Sequence, residues 1–317
     1  MPESEPERSA PITAAPTTVI YVAGDGRSGS TLLEGLLAAA TGAVAVGEAR
    51  MWLAAGFRWG ARCGCGEQFT SCRFWSAVVQ AALPESDEAH RAGLEAAGRS
   101  LIANRHVRLL DRGREAWSAP QRALGDTHVD LYQSVLAVSG APLIVDSSKT
   151  PAYALFLAAQ PEVDLRVIHL VRDSRAVVHS WTRDKEWKAA AASGESRRMR
   201  RLGTAAAARQ WMIQNALCEV LTRRVEHSTR IRYEDLAADP ARVVSEALER
   251  IDIRASTDAG PGMTEHGFLG NPMRFDESPR EIVLDDAWRR ELPGGSRRAA
   301  TLLTSPLLLR HGYSLRS

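Results

Sequence analysis

Apolar positions along the 317-residue chain follow two rhythms. Short runs rich in β-branched and aromatic residues, at 18–23 (TVIYVA), 142–145 (PLIV), 165–171 (LRVIHLV) and 228–233 (STRIRY), predict strands. Between them apolar residues recur every three or four positions, most clearly over 30–40 and 240–251, and predict helices. Each predicted strand runs into a loop carrying glycine or polar residues. Strands separated by helical segments imply parallel pairing with right-handed crossovers, which brings those loops together at the carboxyl ends of the strands. The expected fold class is α/β, a central parallel sheet flanked by helices. Residues 1–17 mix Pro, Glu, Ser and Thr without periodicity and read as a disordered leader. A single domain is expected over 18–317. The helical, charged stretches 51–140 and 183–203 would form its substrate lobe or lid, and the alanine runs at 189–192 and 205–208 read as helix surface.

Composition narrows the function classes. With 44% hydrophobic and 25% charged residues the chain reads as an ordinary globular protein. No apolar run approaches the roughly 20 residues of a membrane span, and the N-terminus lacks a signal-peptide pattern, so a soluble, cytoplasmic location is expected. A net charge of +2 speaks against nucleic acid or an anionic membrane as partner. Any anion site must be local. Only three of the 40 basic residues are lysines, so a lone arginine carries little information and Lys149 carries more.

The first loop, Gly24-Asp25-Gly26-Arg27-Ser28-Gly29-Ser30-Thr31, has P-loop glycine spacing between a strand and a helix. Successive backbone N–H groups and the positive end of the following helix suit a tetrahedral oxyanion. A nucleoside triphosphatase would carry Lys at position 30, where this chain has Ser. Arg27 stands inside the loop instead, with a fork that can hold a phosphate or sulfate.

The segment Arg27 to Thr31 (RSGST) resembles the 5'-phosphosulfate loop of the sulfotransferases that use 3'-phosphoadenosine 5'-phosphosulfate (PAPS), in the bacterial, carbohydrate and tyrosylprotein branches. Arg172, at a predicted strand end, and Ser180, eight residues on, are similar to that family's 3'-phosphate motif; a surface ion pair between Arg172 and Asp173 is the plain alternative. By the same resemblance Tyr233 in Arg232-Tyr233-Glu234-Asp235 would approach the adenine or its phosphate, and Arg274 would clamp the 3'-phosphate. The resemblance implies donor binding by Gly26, Arg27, Ser28, Gly29, Ser30, Thr31, Arg172, Ser180, Tyr233 and Arg274, with PAP released as product.

In-line sulfuryl transfer needs a base for the acceptor proton and cations for the leaving phosphate. Glu48, in Gly47-Glu48-Ala49-Arg50, resembles the position of the catalytic carboxylate in tyrosylprotein sulfotransferases, which carry a second Glu where this chain has Ala49; a surface pair with Arg50 is the alternative. Lys149 closes the strand ending Asp146-Ser147-Ser148 and, with Arg27, is the candidate cation. The implied acceptor is a hydroxyl of a small molecule, natural product or glycan. A P-loop kinase-like phosphotransferase and a non-catalytic nucleotide-binding regulator are the alternative functions. Cys63, Cys65 and Cys72 cluster without an evident fourth ligand, so no metal is expected and their state, free, disulfide-bonded or metal-bound, stays open. His169, alone in a strand, reads as a satisfied core residue.

Overall fold

The computed structural model describes residues 15–84, 86–183, 186–187, 197–198, 201–256, 262–269 and 282–316. Five parallel strands form the central sheet: β1 (Thr17–Gly24), β2 (Val44–Gly47), β3 (Ile144–Lys149), β4 (Val163–Val171) and, beyond the two-residue antiparallel pair β5 (Glu186–Trp187) and β6 (Arg197–Arg198), β7 (Ser228–Arg232). Their spatial order is β2-β3-β1-β4-β7. Because all five run the same way, the loops after Gly24, Gly47, Lys149, Val171 and Arg232 share one edge of the sheet.

Both faces of β1 are covered, which is why its sequence is continuously apolar rather than alternating. Val19, Tyr21 and Ala23 point into one core with Ile144 and Val167, while Ile20 and Val22 point into the other with Val145 and Ile168. The second core is closed by α1 (Ser30–Thr41) through Leu33, Leu37 and Ala38, and by α10 (Pro240–Arg250) through Val243, Val244, Ala247 and Leu248. The first core is closed by α2 (Arg73–Ala82), α3 (Glu88–Leu101), the short α4 (Val107–Leu110), α5 (Ala119–Ser139) and α6 (Pro151–Ala158). Helices α7 (Ser174–Thr182), α8 (Thr204–Thr222), α11 (Trp288–Glu291) and α12 (Gly294–Arg310) pack together beside β4; α9 (Tyr233–Ala238) follows β7 directly.

Three local expectations need correction. The third strand begins at Ile144, two residues into the predicted 142–145 run, and extends past it through Asp146, Ser147 and Ser148. These side chains are buried in the strand because each finds a partner: Tyr132 donates to Asp146 (2.6 Å), Ser147 to Glu34 (2.9 Å), and the Arg50 amide to Ser148 Oγ (3.0 Å). Within 183–203 the described residues form the β5–β6 pair rather than helix. In the second alanine run, Ala207 and Ala208 are buried against Ala176 and Val178, since close packing of α8 on α7 requires small side chains. Thr17, the last residue of the expected leader, opens β1 and is buried; residues 1–14 and the run 189–192 lie outside the described residues. Among the described residues no helix is long and apolar enough to cross a membrane.

Candidate active site at the carboxyl edge of the sheet

The loop after β1 is shaped by left-handed backbone at Arg27 (φ 70°) and Gly29 (φ 94°). At Gly29 glycine is needed twice over, because an added Cβ would stand 2.5 Å from the Tyr233 ring. Gly26 is pressed in the same way against Trp181 of α7. α1 then starts at Ser30 without a side-chain cap, so the positive end of the helix dipole faces this loop. The Arg27 guanidinium lies 4.9 Å from the Trp181 ring centroid; burial lowers its pKa, and the neighbouring Glu48 carboxylate pulls it back up.

Glu48 and Lys149 come from adjacent strand ends and form an ion pair, Lys149 Nζ to Glu48 Oε1 at 2.7 Å, with both side chains largely buried. The surface pairing of Glu48 with Arg50 is replaced by this contact. Lys149, like Arg27, holds a positive φ (68°), and its Nζ also donates to the Ser147 carbonyl (2.9 Å). Left-handed backbone at two bulky cationic residues is strain held in place by the surrounding contacts.

Arg172 follows β4. Its guanidinium donates to the Arg27 carbonyl (3.1 Å), stacks over Tyr233 (4.3 Å) and pairs with Asp285 (3.0 Å). The alternative pairing of Arg172 with Asp173 does not form; Asp173 instead takes Arg175 (2.7 Å). Tyr233 therefore bridges the two loops, its ring edge against Gly29 and a ring face under Arg172. Ser180 is buried on α7, one residue before Trp181. Ser28, Ser30 and Thr31 lie in the loop and first turn of α1, whereas Arg274 lies outside the described residues. His169 is a core residue hydrogen-bonded to Asn215 (2.9 Å), with its pKa driven down to about 3 by burial.

Several supporting residues escaped the sequence reading. Glu34 of α1 is 1% exposed and accepts from the Gly47 amide (2.7 Å) and from Ser147 (2.9 Å), joining the ends of β2 and β3. Its signal was an acidic residue on the helix face that also carries Ser30, Leu37, Ala38 and Thr41. On α8, Gln210 donates to Asp25 (2.9 Å), Trp211 to the Arg172 carbonyl (3.0 Å), and Gln214 to the carbonyls of Gly24 (3.0 Å) and Lys149 (3.2 Å). One helix face thus fixes three strand ends. Asp25 is buried and its pKa is pushed up to about 6, against the lowering effect of its hydrogen bonds from Gln210 and the Gly26 amide. A pocket of about 370 Å³ opens beside this edge, with Arg50, Met51 and Ala54 on one wall and Leu94, Ile102 and His128 on another.

Cys63, Cys65 and Cys72 stay together and meet His266, a ligand type the sequence reading did not connect with them. His266 stands 194 residues beyond Cys72, too far for a spacing rule to link the two.

Comparison with solved structures finds similarity to the sulfotransferase domain from the curacin biosynthetic pathway, at 18% identity and TM-score 0.55, over 95% of this chain and 99% of that one. The sulfotransferase domain from the Synechococcus PCC 7002 olefin synthase aligns at 18% identity and TM-score 0.48, over 95% of this chain and 98% of its own. At 18% identity the curacin likeness bears on the fold alone. No curated protein matches the chain. The family model described as "Sulfotransferase family" matches residues 19–257, about three quarters of the sequence and nearly all of the strand-end machinery, so the chain belongs to the sulfotransferase family.

Proposed function

We propose that this member of the family transfers a sulfuryl group from PAPS to a hydroxyl of a small-molecule, natural-product or glycan acceptor, by direct in-line displacement. The observation that carries the reading is the convergence of Glu48, Lys149 and Arg27 from three loops beside an uncapped helix N-terminus. A base, two cations and an anion cradle are what sulfuryl transfer between a phosphate and an alcohol requires. The donor residues fit an anion bearing two phosphate positions: one basic cluster lies at the first loop, and Arg172 lies across Tyr233 from it.

When bound, PAPS supplies a sulfuryl group already activated on a phosphate leaving group. The loop from Gly26 to Thr31 would receive the 5'-phosphate end, shaped by the Gly26 amide's own bond to Asp25 (2.8 Å), with Arg27 and the Lys149 ammonium providing the positive charge that neutralises the leaving oxygen. Glu48 would hold the acceptor hydroxyl and take its proton. Its ion pair with Lys149 holds both groups at the reaction edge. Arg172, Ser180 and Tyr233 would hold the 3'-phosphate and adenosine end, with Arg274 joining them. The pocket lined by Met51, Leu94 and Ile102 offers an apolar wall with arginines for the acceptor. Ser30, where a P-loop kinase carries lysine, speaks against magnesium-dependent phosphoryl transfer.

Calorimetric titration with adenosine 3',5'-bisphosphate, ATP and 5'-AMP, with and without magnesium, tests the reading. Metal-independent binding that requires the 3'-phosphate and weakens at least tenfold in Arg172→Ala is expected. Preference for ATP with magnesium would overturn the donor assignment.

A further inference from the structure

Away from the carboxylate-lysine pair, Cys63, Cys65, Cys72 and His266 bring one ligand atom each to a common point, all four within 4.8 Å of one another. Cys63 Sγ and Cys72 Sγ each stand 3.5 Å from His266 Nδ1, and Cys65 Sγ stands 3.7 Å from Cys72 Sγ. A tetrahedral zinc with bonds of about 2.3 Å to sulfur and about 2.0–2.1 Å to nitrogen requires S···S near ~3.8 Å and S···N near ~3.6 Å. These three separations match both. A disulfide does not account for them, since its sulfurs lie about 2.05 Å apart.

We infer that these four residues form a structural Cys3His zinc site that clips the 61–72 loop to the 262–269 segment.

The surroundings are arranged as a metal site's second layer would be. Burial holds the Cys63 and Cys72 thiols above their ordinary pKa, against amide hydrogen bonds from Cys65 to the Cys63 sulfur and from Trp75 to the Cys72 sulfur. The His266 ring is held flat against Phe74, 4.7 Å between centroids and 6° between planes, while Trp75 Nε1 donates to the His266 carbonyl (2.7 Å). Gly64 lets the two segments touch, because a Cβ there would stand 2.6 Å from the Glu265 carbonyl. Three sulfurs and one imidazole nitrogen suit zinc by softness and number, and with all four positions taken by protein the site is closed, as structural zinc sites are. Loading would release three thiol protons, leaving a Zn(Cys)3(His) centre of charge −1.

The clip has a purpose in the fold. The segment it holds runs beside β2, pairing Met263 with Val44 and Phe268 with Gly47, and the Phe268 carbonyl accepts from the Glu48 amide (3.1 Å). Zinc would thus close a loop of nearly two hundred residues and fix the backbone on which Glu48 sits.

The test is elemental analysis of the full chain, purified without chelators, together with cobalt substitution and a competition titration against a chromophoric chelator. About one zinc per chain is expected, and a cobalt spectrum with thiolate charge-transfer and tetrahedral ligand-field bands. Cys65→Ser alters the exposed ligand and should weaken zinc at least tenfold while the protein still binds adenosine 3',5'-bisphosphate. If that variant fails to fold, the metal content and cobalt spectrum of the wild type decide. Zinc below a tenth of an equivalent with no tetrahedral cobalt spectrum, stoichiometric iron in place of zinc, or a mass showing a Cys65–Cys72 disulfide in the folded protein would each overturn the assignment. None of these readouts depends on sulfuryl transfer.

Discussion

Lys149 Nζ lies 2.7 Å from Glu48 Oε1, a contact across the ends of two adjacent parallel strands. The pair places a carboxylate and an ammonium of opposite roles at one point on the sheet edge. Glu48→Gln should therefore lower kcat by about 100-fold or more, the scale of a lost general base, with affinity for adenosine 3',5'-bisphosphate changed by less than about threefold. Turnover equal to wild type would remove Glu48 from the mechanism.

Lys149 is best tested by Lys149→Asn, because asparagine tolerates the left-handed backbone that lysine adopts here. Loss of charge without loss of fold should cut kcat by about 10- to 1,000-fold, in the range of a removed transition-state donor. A thermal midpoint at the wild-type value combined with unchanged kcat would reduce Lys149 to a structural partner of Glu48.

Arg172 is engaged by Asp285, whose side chain is about half exposed. A 3'-phosphate at Arg172 would compete with that carboxylate. Asp285→Asn should tighten adenosine 3',5'-bisphosphate by roughly three- to tenfold, the value of a partly exposed ion pair. Calorimetry showing weaker binding in this variant would mean that Asp285 orients Arg172 rather than competing for it.

Glu34 accepts from a backbone amide and a serine hydroxyl while almost wholly buried. Glu34→Ala leaves the Gly47 amide unsatisfied and Ser147 with only its longer contact to the Gly47 carbonyl (3.3 Å), and should cost about 2–4 kcal/mol in urea unfolding, with Glu34→Gln costing less because one acceptor oxygen remains. A loss below about 0.5 kcal/mol in the alanine variant would show that neither bond matters to the strand ends.

Burial raises the pKa of Asp25 and of Asp146 from 3.8 to about 6. Between those values the native chain binds more protons than the unfolded one, so these two groups stabilise the fold at low pH. Their contribution declines as pH rises from about 4 and is gone above about 6. Asp25→Asn keeps the Oδ1 acceptor used by Gly26 and Gln210 and removes the charge. Relative to wild type it should gain on the order of 2–3 kcal/mol between pH 4 and pH 7. A variant-to-wild-type difference that stays flat across this range would place the Asp25 pKa at its ordinary value.

The sequence by itself determined the strand-loop-helix units and the family to which they belong. Residues 18–40 spell an apolar strand, a loop with two glycines and an amphipathic helix within a few turns of chain, and Arg172 follows its strand directly; such relations depend on local periodicity, which survives in one dimension. The same periodicity stopped the β3 run at Val145, because Asp146, Ser147 and Ser148 are polar, and only partners from α1, α5 and the turn after β2 make their burial affordable. What tertiary structure alone decided are pairings between residues far apart: Glu48 with Lys149 over 101 positions, Arg172 with Asp285 over 113, and Cys72 with His266 over 194. No spacing rule reaches that far. The first of these pairings is set by the order β2-β3-β1-β4-β7, in which strands remote in sequence become neighbours and deliver their carboxyl ends to one edge.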